Sequence, residues 1–309
     1  MINKKVLILI SLVFSFITFA CVYIVVPEGL EKPVEVEGSE LQVWNALATD
    51  ITKTAAGDTR IDLTIRNDTG DWSTLTAVEN KPAQLKTEAG ASTNCETVFV
   101  GTGGHRLAPG FQMRGYTTGK KDNQQIQDLF VECKDAEVTP GSKLLINYTS
   151  FSGILDDYEP ETNKKNGVLE VNLDEIVTDL AYPIGIPHDG LIQEAGVSIT
   201  GLSENVVTLL DTQRTETGLQ FTWQNFNPTK FPLKTHIGIP PVIGADGIIY
   251  GVYEILDIAP VPITPAKENM EWTTEVVVPK DVSGLYILLS VESKKPRTYV
   301  NYALDITDK

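Results

Sequence analysis

The sequence predicts an all-β chain: two antiparallel β-sandwich domains behind a single N-terminal transmembrane helix. Three observations predict it. Residues 6–26 (VLILISLVFSFITFACVYIVV) run without a charge. Beyond them, short stretches alternate apolar and polar residues between Gly- and Pro-bearing turns, and no window of ten residues keeps a helical period. A Pro- and Gly-rich segment, residues 182–191, then divides the remainder into two parts of ordinary domain size.

The apolar run matches the roughly 20 helical residues that a hydrocarbon core of about 30 Å requires. It passes Ala20 and continues through Val22, Tyr23, Ile24, Val25 and Val26, longer than the roughly 7–15 apolar residues of a cleaved signal. Pro27 and Gly29 then stop the helix. Lys4 and Lys5 hold the short N-terminal tip in the cytoplasm, so the bulk of the chain is exported. The reading is an uncleaved signal-anchor over residues 1–26, in a single-pass protein of the cell membrane. Two rival fates remain open: cleavage before Cys21 with lipid attached to its sulfur, and simple removal of the segment. Both also export the chain. The charged, Pro33-containing stretch 27–40 is a spacer.

The formal net charge is −16, and the first 26 residues carry two lysines and no acid, so the remainder is more acidic still. Such a surface repels phosphate backbones, which excludes nucleic acid as the expected partner. Of the three cysteines, Cys21 lies in the apolar run, while Cys95 and Cys133 stand alone in the exported part. In an oxidising compartment two such residues read as one disulfide. They lie 38 residues apart, a loop worth on the order of 3–4 kcal/mol.

Domain 1 spans residues 41–181. Its clearest strand is 60–67, with Ile61, Leu63 and Ile65 on one face and Asp62, Thr64 and Arg66 on the other. Further strands are expected at 41–46, 73–77, 96–100, 111–117, 127–132, 143–149 and 168–173. Turns at Gly103-Gly104, Pro109-Gly110 and Pro140-Gly141 separate several of them. Domain 2 spans residues 192–309, with strands expected at 197–200, 206–211, 219–225, 235–239, 248–255, 273–278, 285–293 and 299–305. The domains share a pattern: Leu63-Thr64-Ile65-Arg66-Asn67 matches Phe221-Thr222-Trp223-Gln224-Asn225, residues 143–147 compare with 285–289, and Leu173-Asp174 compares with Leu304-Asp305. These matches suggest a tandem pair of one fold, with extra loop length in the first.

The alternating strand ending in Asn67, followed by Leu107-Ala108-Pro109-Gly110-Phe111 leading into a strand with Gly115, resembles the telokin-like, immunoglobulin-like domains of bacterial envelope proteins. The likeness covers roughly residues 41–176. It implies an exported immunoglobulin-like sandwich behind an anchor and brings no catalytic residues. The antibody pattern itself is absent, since no Trp lies between Cys95 and Cys133.

Catalytic signatures are missing. No Gly-x-Ser-x-Gly occurs, and His105 reads as an exposed loop residue with no evident partner. Zinc requires clustered ligands, and His105, His188 and His236 are scattered. The carboxylates Asp156, Asp157, Glu159 and Glu161 are dense enough to consider for calcium, but they lack the spacing of a calcium loop, with Lys164 and Lys165 close behind. They read as a solvated turn, and no cofactor is expected. Apolar residues also gather outside the expected strands: Phe231, Ile237, Ile239, Val242 and Ile243 either pack within the protein or form a partner surface. The expectation is a non-catalytic binding or accessory module of the envelope with a protein or glycan partner. A structural subunit of a surface assembly is the main alternative, and a hydrolase of envelope carbohydrate the lesser one.

Overall fold

The computed structural model describes residues 44–69, 72–118, 124–152, 164–178, 192–194, 198–200, 206–228, 230–234, 241–251, 263–292 and 299–306. The predicted membrane helix, the spacer 27–40, the segment 182–191 and the strand expected at 235–239 lie outside these residues. Within them the chain is all-β.

The first half contributes β1 (Trp44–Lys53), β2 (Thr59–Asn67), β3 (Ser73–Ala77), β4 (Ala83–Lys86), β5 (Ser92–Cys95), β6 (Thr97–Phe99), β7 (Gln112–Met113), β8 (Gly115–Thr118), β9 (Gln125–Asp128), β10 (Phe130–Cys133), β11 (Lys143–Ser152) and β12 (Lys164–Asn172). The second contributes β13 (Ile192–Glu194), β14 (Ser198–Thr200), β15 (Val206–Arg214), β16 (Gly218–Phe226), β17 (Leu233–Lys234), β18 (Val242–Ile243), β19 (Ile248–Tyr250), β20 (Ile263–Thr264), β21 (Asn269–Val277), β22 (Tyr286–Glu292) and β23 (Tyr299–Asp305). Strand pairs are antiparallel except β13 with β23 and β8 with β19.

Two sheets enclose the first core. One runs β1-β2-β10-β6 with β7 also on β2; the other runs β12-β11-β4-β5 with β3 on β11. The alternation in β2 sends Ile61, Leu63 and Ile65 inward to meet Leu75, Leu85, Leu144, Ile146, Leu169 and Val171 of the facing sheet. Each such side chain, once fully buried, contributes roughly 1.5–3 kcal/mol. The Trp44 indole crosses between the sheets and donates to Ser150 Oγ at 2.9 Å.

A third sheet runs β13-β23-β22-β18-β19-β8-β9, and so takes strands from both halves. Strands β18 and β19 and the start of β22 are buried on both faces of it. Val242, Ile248, Tyr250 and Ile287 point toward Leu219, Phe221 and Trp223 of the fourth sheet, β14-β15-β16-β21. Their neighbours Ile243, Ile249 and Leu288 point the other way, into the core of the first half. The Phe111 ring meets Tyr286 edge-on across this boundary, with centroids 5.4 Å apart.

The halves repeat one scheme. Hairpins β1–β2 and β15–β16 each carry a bulge, at Ala48/Asp50 and Leu209/Asp211. In each bulge the Asp carboxylate accepts the next residue's amide, from Ile51 and from Thr212, both at 2.8 Å. Each second strand leads to a buried asparagine: Asn67 donates to the Leu107 carbonyl at 2.7 Å, and Asn227 to the Thr264 carbonyl at 3.0 Å. Each asparagine's own carbonyl accepts an amide from a left-handed residue of a Pro turn, Gly110 (φ 77°) or Lys267 (φ 63°). The structural match is therefore Asn67 with Asn227, two positions beyond the Asn225 that sequence comparison selects. The strands expected at 111–117 and 127–132 each divide in two, at Arg114 and at Leu129, where the chain changes sheets.

Replacing Asn67 with Ala removes the shorter of two bonds to the Leu107 carbonyl, which keeps only the Ser73 amide at 3.2 Å, and removes the acceptor of Thr69 N–H in the core. The expected loss is about 1–3 kcal/mol. Asn227→Ala, which removes the donor shared by the Phe231, Thr264 and Pro265 carbonyls, should cost a similar amount, both read as midpoint shifts in urea denaturation.

Candidate binding surface

Cys95 of β5 and Cys133 of β10 form the predicted disulfide, with Cα atoms 4.0 Å apart. Both are buried, and they join the two sheets of the first half. The bridge also fixes which way β10 faces. Counting back by twos, Cys133 and Val131 point inward while Glu132 and Phe130 point out.

On that outer face the registers set Phe130 opposite Phe99 of β6 on one side and opposite Asp62 of β2 on the other. The Phe99 and Phe130 rings stack with centroids 4.8 Å apart and planes 29° apart. The Arg60 guanidinium lies 3.9 Å from the Phe130 ring centroid and donates to Asp62 Oδ1 at 2.9 and 2.7 Å from Nε and Nη2. Asp62 raises the guanidinium's pKa, so the charge is held above the ring at any ordinary pH. Phe99 is 44% exposed. Two stacked rings, a cation over one of them and a carboxylate beside it give a flat surface with an apolar centre and a charged margin. Such a surface accepts another ring or an apolar side chain by stacking. Sequence reasoning passed over this strip. The signal was present, since once Cys133 is taken as buried, period-two counting places Phe130 outside.

The residues expected to form a partner surface separate. Phe231 is 74% exposed, and its main-chain carbonyl accepts from Asn227 Nδ2 at 2.8 Å, so the aromatic ring projects from a pinned backbone. Val242 and Ile243 are fully buried in β18. They sit in a sheet covered on both faces, and they contribute to the core rather than to a surface. Ile237 and Ile239 lie outside the described residues, as do Asp156, Asp157, Glu159 and Glu161.

His105 is buried rather than a surface loop residue. Its amide donates to the Thr102 carbonyl at 3.0 Å and its ring meets the edge of Tyr116, with centroids 6.1 Å apart. Burial disfavours the imidazolium and lowers its pKa from the ordinary 6.5 to about 4. Among the described residues no three His, Cys, Asp or Glu side chains gather as a metal site.

No family model matches the chain, and no curated protein matches it. Among solved structures, the crystal structure of the E. coli chaperone DraB is similar over 83% of this chain and 98% of that chain, at 12% identity and a TM-score of 0.15. At that score the likeness supports no inference about fold or role.

Between pH 6.5 and 4 the unfolded chain binds a proton at His105 that the folded chain refuses. Stability should therefore fall as pH drops through that window, by on the order of 3 kcal/mol from this group. His105→Phe should remove that share of the loss, measured as the difference between denaturation midpoints at pH 7 and pH 4.5 for variant and wild type.

Proposed function

We propose that this chain is a membrane-anchored, non-catalytic binding or accessory module of the cell envelope. Residues 6–26 serve as a single-pass anchor, residues 27–40 as the spacer, and the rest as a tandem of immunoglobulin-like sandwiches outside the cytoplasm, of the kind the telokin-like domains exemplify. The observation that carries the reading is the presence of exposed aromatics on fixed backbone. Phe231 projects from a loop pinned by a buried asparagine, and Phe99 with Phe130 forms a stacked strip on a disulfide-bridged sheet. Exposed rings on rigid backbone lose little conformational entropy when covered, and aromatic and Arg side chains dominate the energetics of interfaces. The partner is a protein or glycan of the envelope.

The assembling-subunit reading keeps one observation in its favour. Strand β9 ends the seven-stranded sheet among the described strands, and Ile126 on it is 51% exposed. An open edge can accept a further strand.

The test is affinity capture from solubilised envelope with residues 28–309 produced under oxidising conditions. One enriched partner is expected. Phe231→Ser and Phe99→Ser should each reduce its capture at least tenfold while shifting stability by no more than about 0.5 kcal/mol, the usual range for surface changes. Concentration-dependent polymers in place of a captured partner would move the assignment to the structural subunit.

A further inference from the structure

We propose that the insertion that carries β8 and β9, described at residues 114–118 and 124–127, is a strap in a strand of the first half, whose role is to fix the second half against it. The register of β2 shows the insertion. Ile65 pairs with Met113 at one end of its neighbour, and Asp62 pairs with Phe130 at the other. Moving three positions along β2 should move three positions along an antiparallel partner, yet the partner advances by seventeen. The partner therefore has fourteen extra residues between Met113 and Asp128, and the ladder resumes in register where they end. Leu63 N–H still donates to the Leu129 carbonyl at 2.8 Å.

The second half supplies the uninterrupted version. There β16 pairs with one continuous strand, β21, from Phe226↔Asn269 through Gly218↔Val277. The equivalent positions begin alike: Gln112 and Met113 pair with Arg66 and Ile65 as Asn269 and Met270 pair with Phe226 and Asn225. After Met270 the chain continues straight, and after Met113 it leaves the sheet.

What leaves is β8 with β9, and β8 lies parallel to β19 of the other half, Gly115 opposite Ile248 and Tyr116 opposite Ile249. The attachment is dense. Arg114 N–H donates to the Gly247 carbonyl at 2.8 Å, and Arg114 Nε to the Asp246 carbonyl at 2.7 Å. Arg114 Nη1 also meets Asp128 Oδ1 at 3.1 Å, which ties the two ends of the strap together. Thr117 Oγ1 accepts the Gly251 amide at 3.1 Å. The Asp246 carboxylate accepts from the Tyr250 hydroxyl and the Ile248 amide, so the turn that receives Arg114 is itself braced. Gly115 sits where no side chain fits: a Cβ there would meet the Gln127 carbonyl oxygen at 2.7 Å and Ile248 Cδ1 at 3.0 Å. None of these contacts is needed to close the first sheet, as β21 demonstrates.

The test uses the full chain in detergent, with a deletion of residues 114–127 that joins Met113 to Asp128, and with Gly115→Val as a smaller lesion. Scanning calorimetry should give one transition for wild type and two for each variant, with the strand content seen by circular dichroism retained. Hydrogen exchange of β18 and β19 should rise at least tenfold in both variants. The proposal is overturned if the variants keep a single transition at the wild-type midpoint, or if wild type itself melts in two steps. A deletion variant that fails to fold also overturns it, because the register predicts that the ladder closes without the insertion.

Discussion

The structure depends on one sheet whose central strands are buried on both faces. A sheet that faces water on one side shows alternation, whereas a sheet covered on both sides needs apolar residues at consecutive positions. Strand β18 supplies Val242 and Ile243, β19 supplies Ile248, Ile249 and Tyr250, and β22 supplies Ile287 and Leu288. Val242, Ile248, Tyr250 and Ile287 serve one core, and their neighbours Ile243, Ile249 and Leu288 serve the other. The second half cannot complete its own sandwich without presenting an apolar face to the first, and the first closes over that face with Phe111, Tyr116 and the strands around them. Removal of either half would leave that face exposed to water, which soluble domains avoid.

The two halves use the same parts for different ends. In both, a bulged hairpin leads to a buried asparagine that gathers a Pro turn, and in both the last two strands form an antiparallel hairpin. The symmetry breaks at Met113 and Met270. The second chain segment runs on as an ordinary strand, and the first departs to pair with its sister sheet. The chain carries both the Phe99–Phe130 strip, on the first half, and the exposed Phe231, on the second.

Much of the fold was legible in the sequence because local rules determined it. Strict alternation from Arg60 to Asn67 gave β2 its inward face, and two cysteines alone beyond the apolar run gave the disulfide. Strands β4 and β5 escaped notice because each is only four residues long: β4 offers just Ala83 and Leu85 to the core, and β5 is polar apart from the bridged Cys95. The strap escaped because β7 with β8, and β9 with β10, read as two continuous strands; only the register reveals that each changes sheets midway. Val242 and Ile243 read as loop hydrophobics because period-two reasoning has no place for a strand covered twice. His105 read as exposed because two glycines precede it, yet the turn they form folds inward beneath Tyr116. Of the candidate surface, Phe231 was visible as an apolar residue in a turn, while the aromatic strip required the inward cysteine as a reference point.

Native-state hydrogen exchange at the junction tests the central claim most directly. The amides of Arg114 and Gly251 bridge the two halves, one to the Gly247 carbonyl and the other to Thr117 Oγ1. If the doubly buried sheet holds the molecule as one unit, both should exchange only through global unfolding, with the same free energy and denaturant dependence as the Leu63 amide in the first core. Exchange at Arg114 and Gly251 through an opening several kcal/mol cheaper than that of Leu63 would mean that the halves part while each stays folded, and would contradict the account.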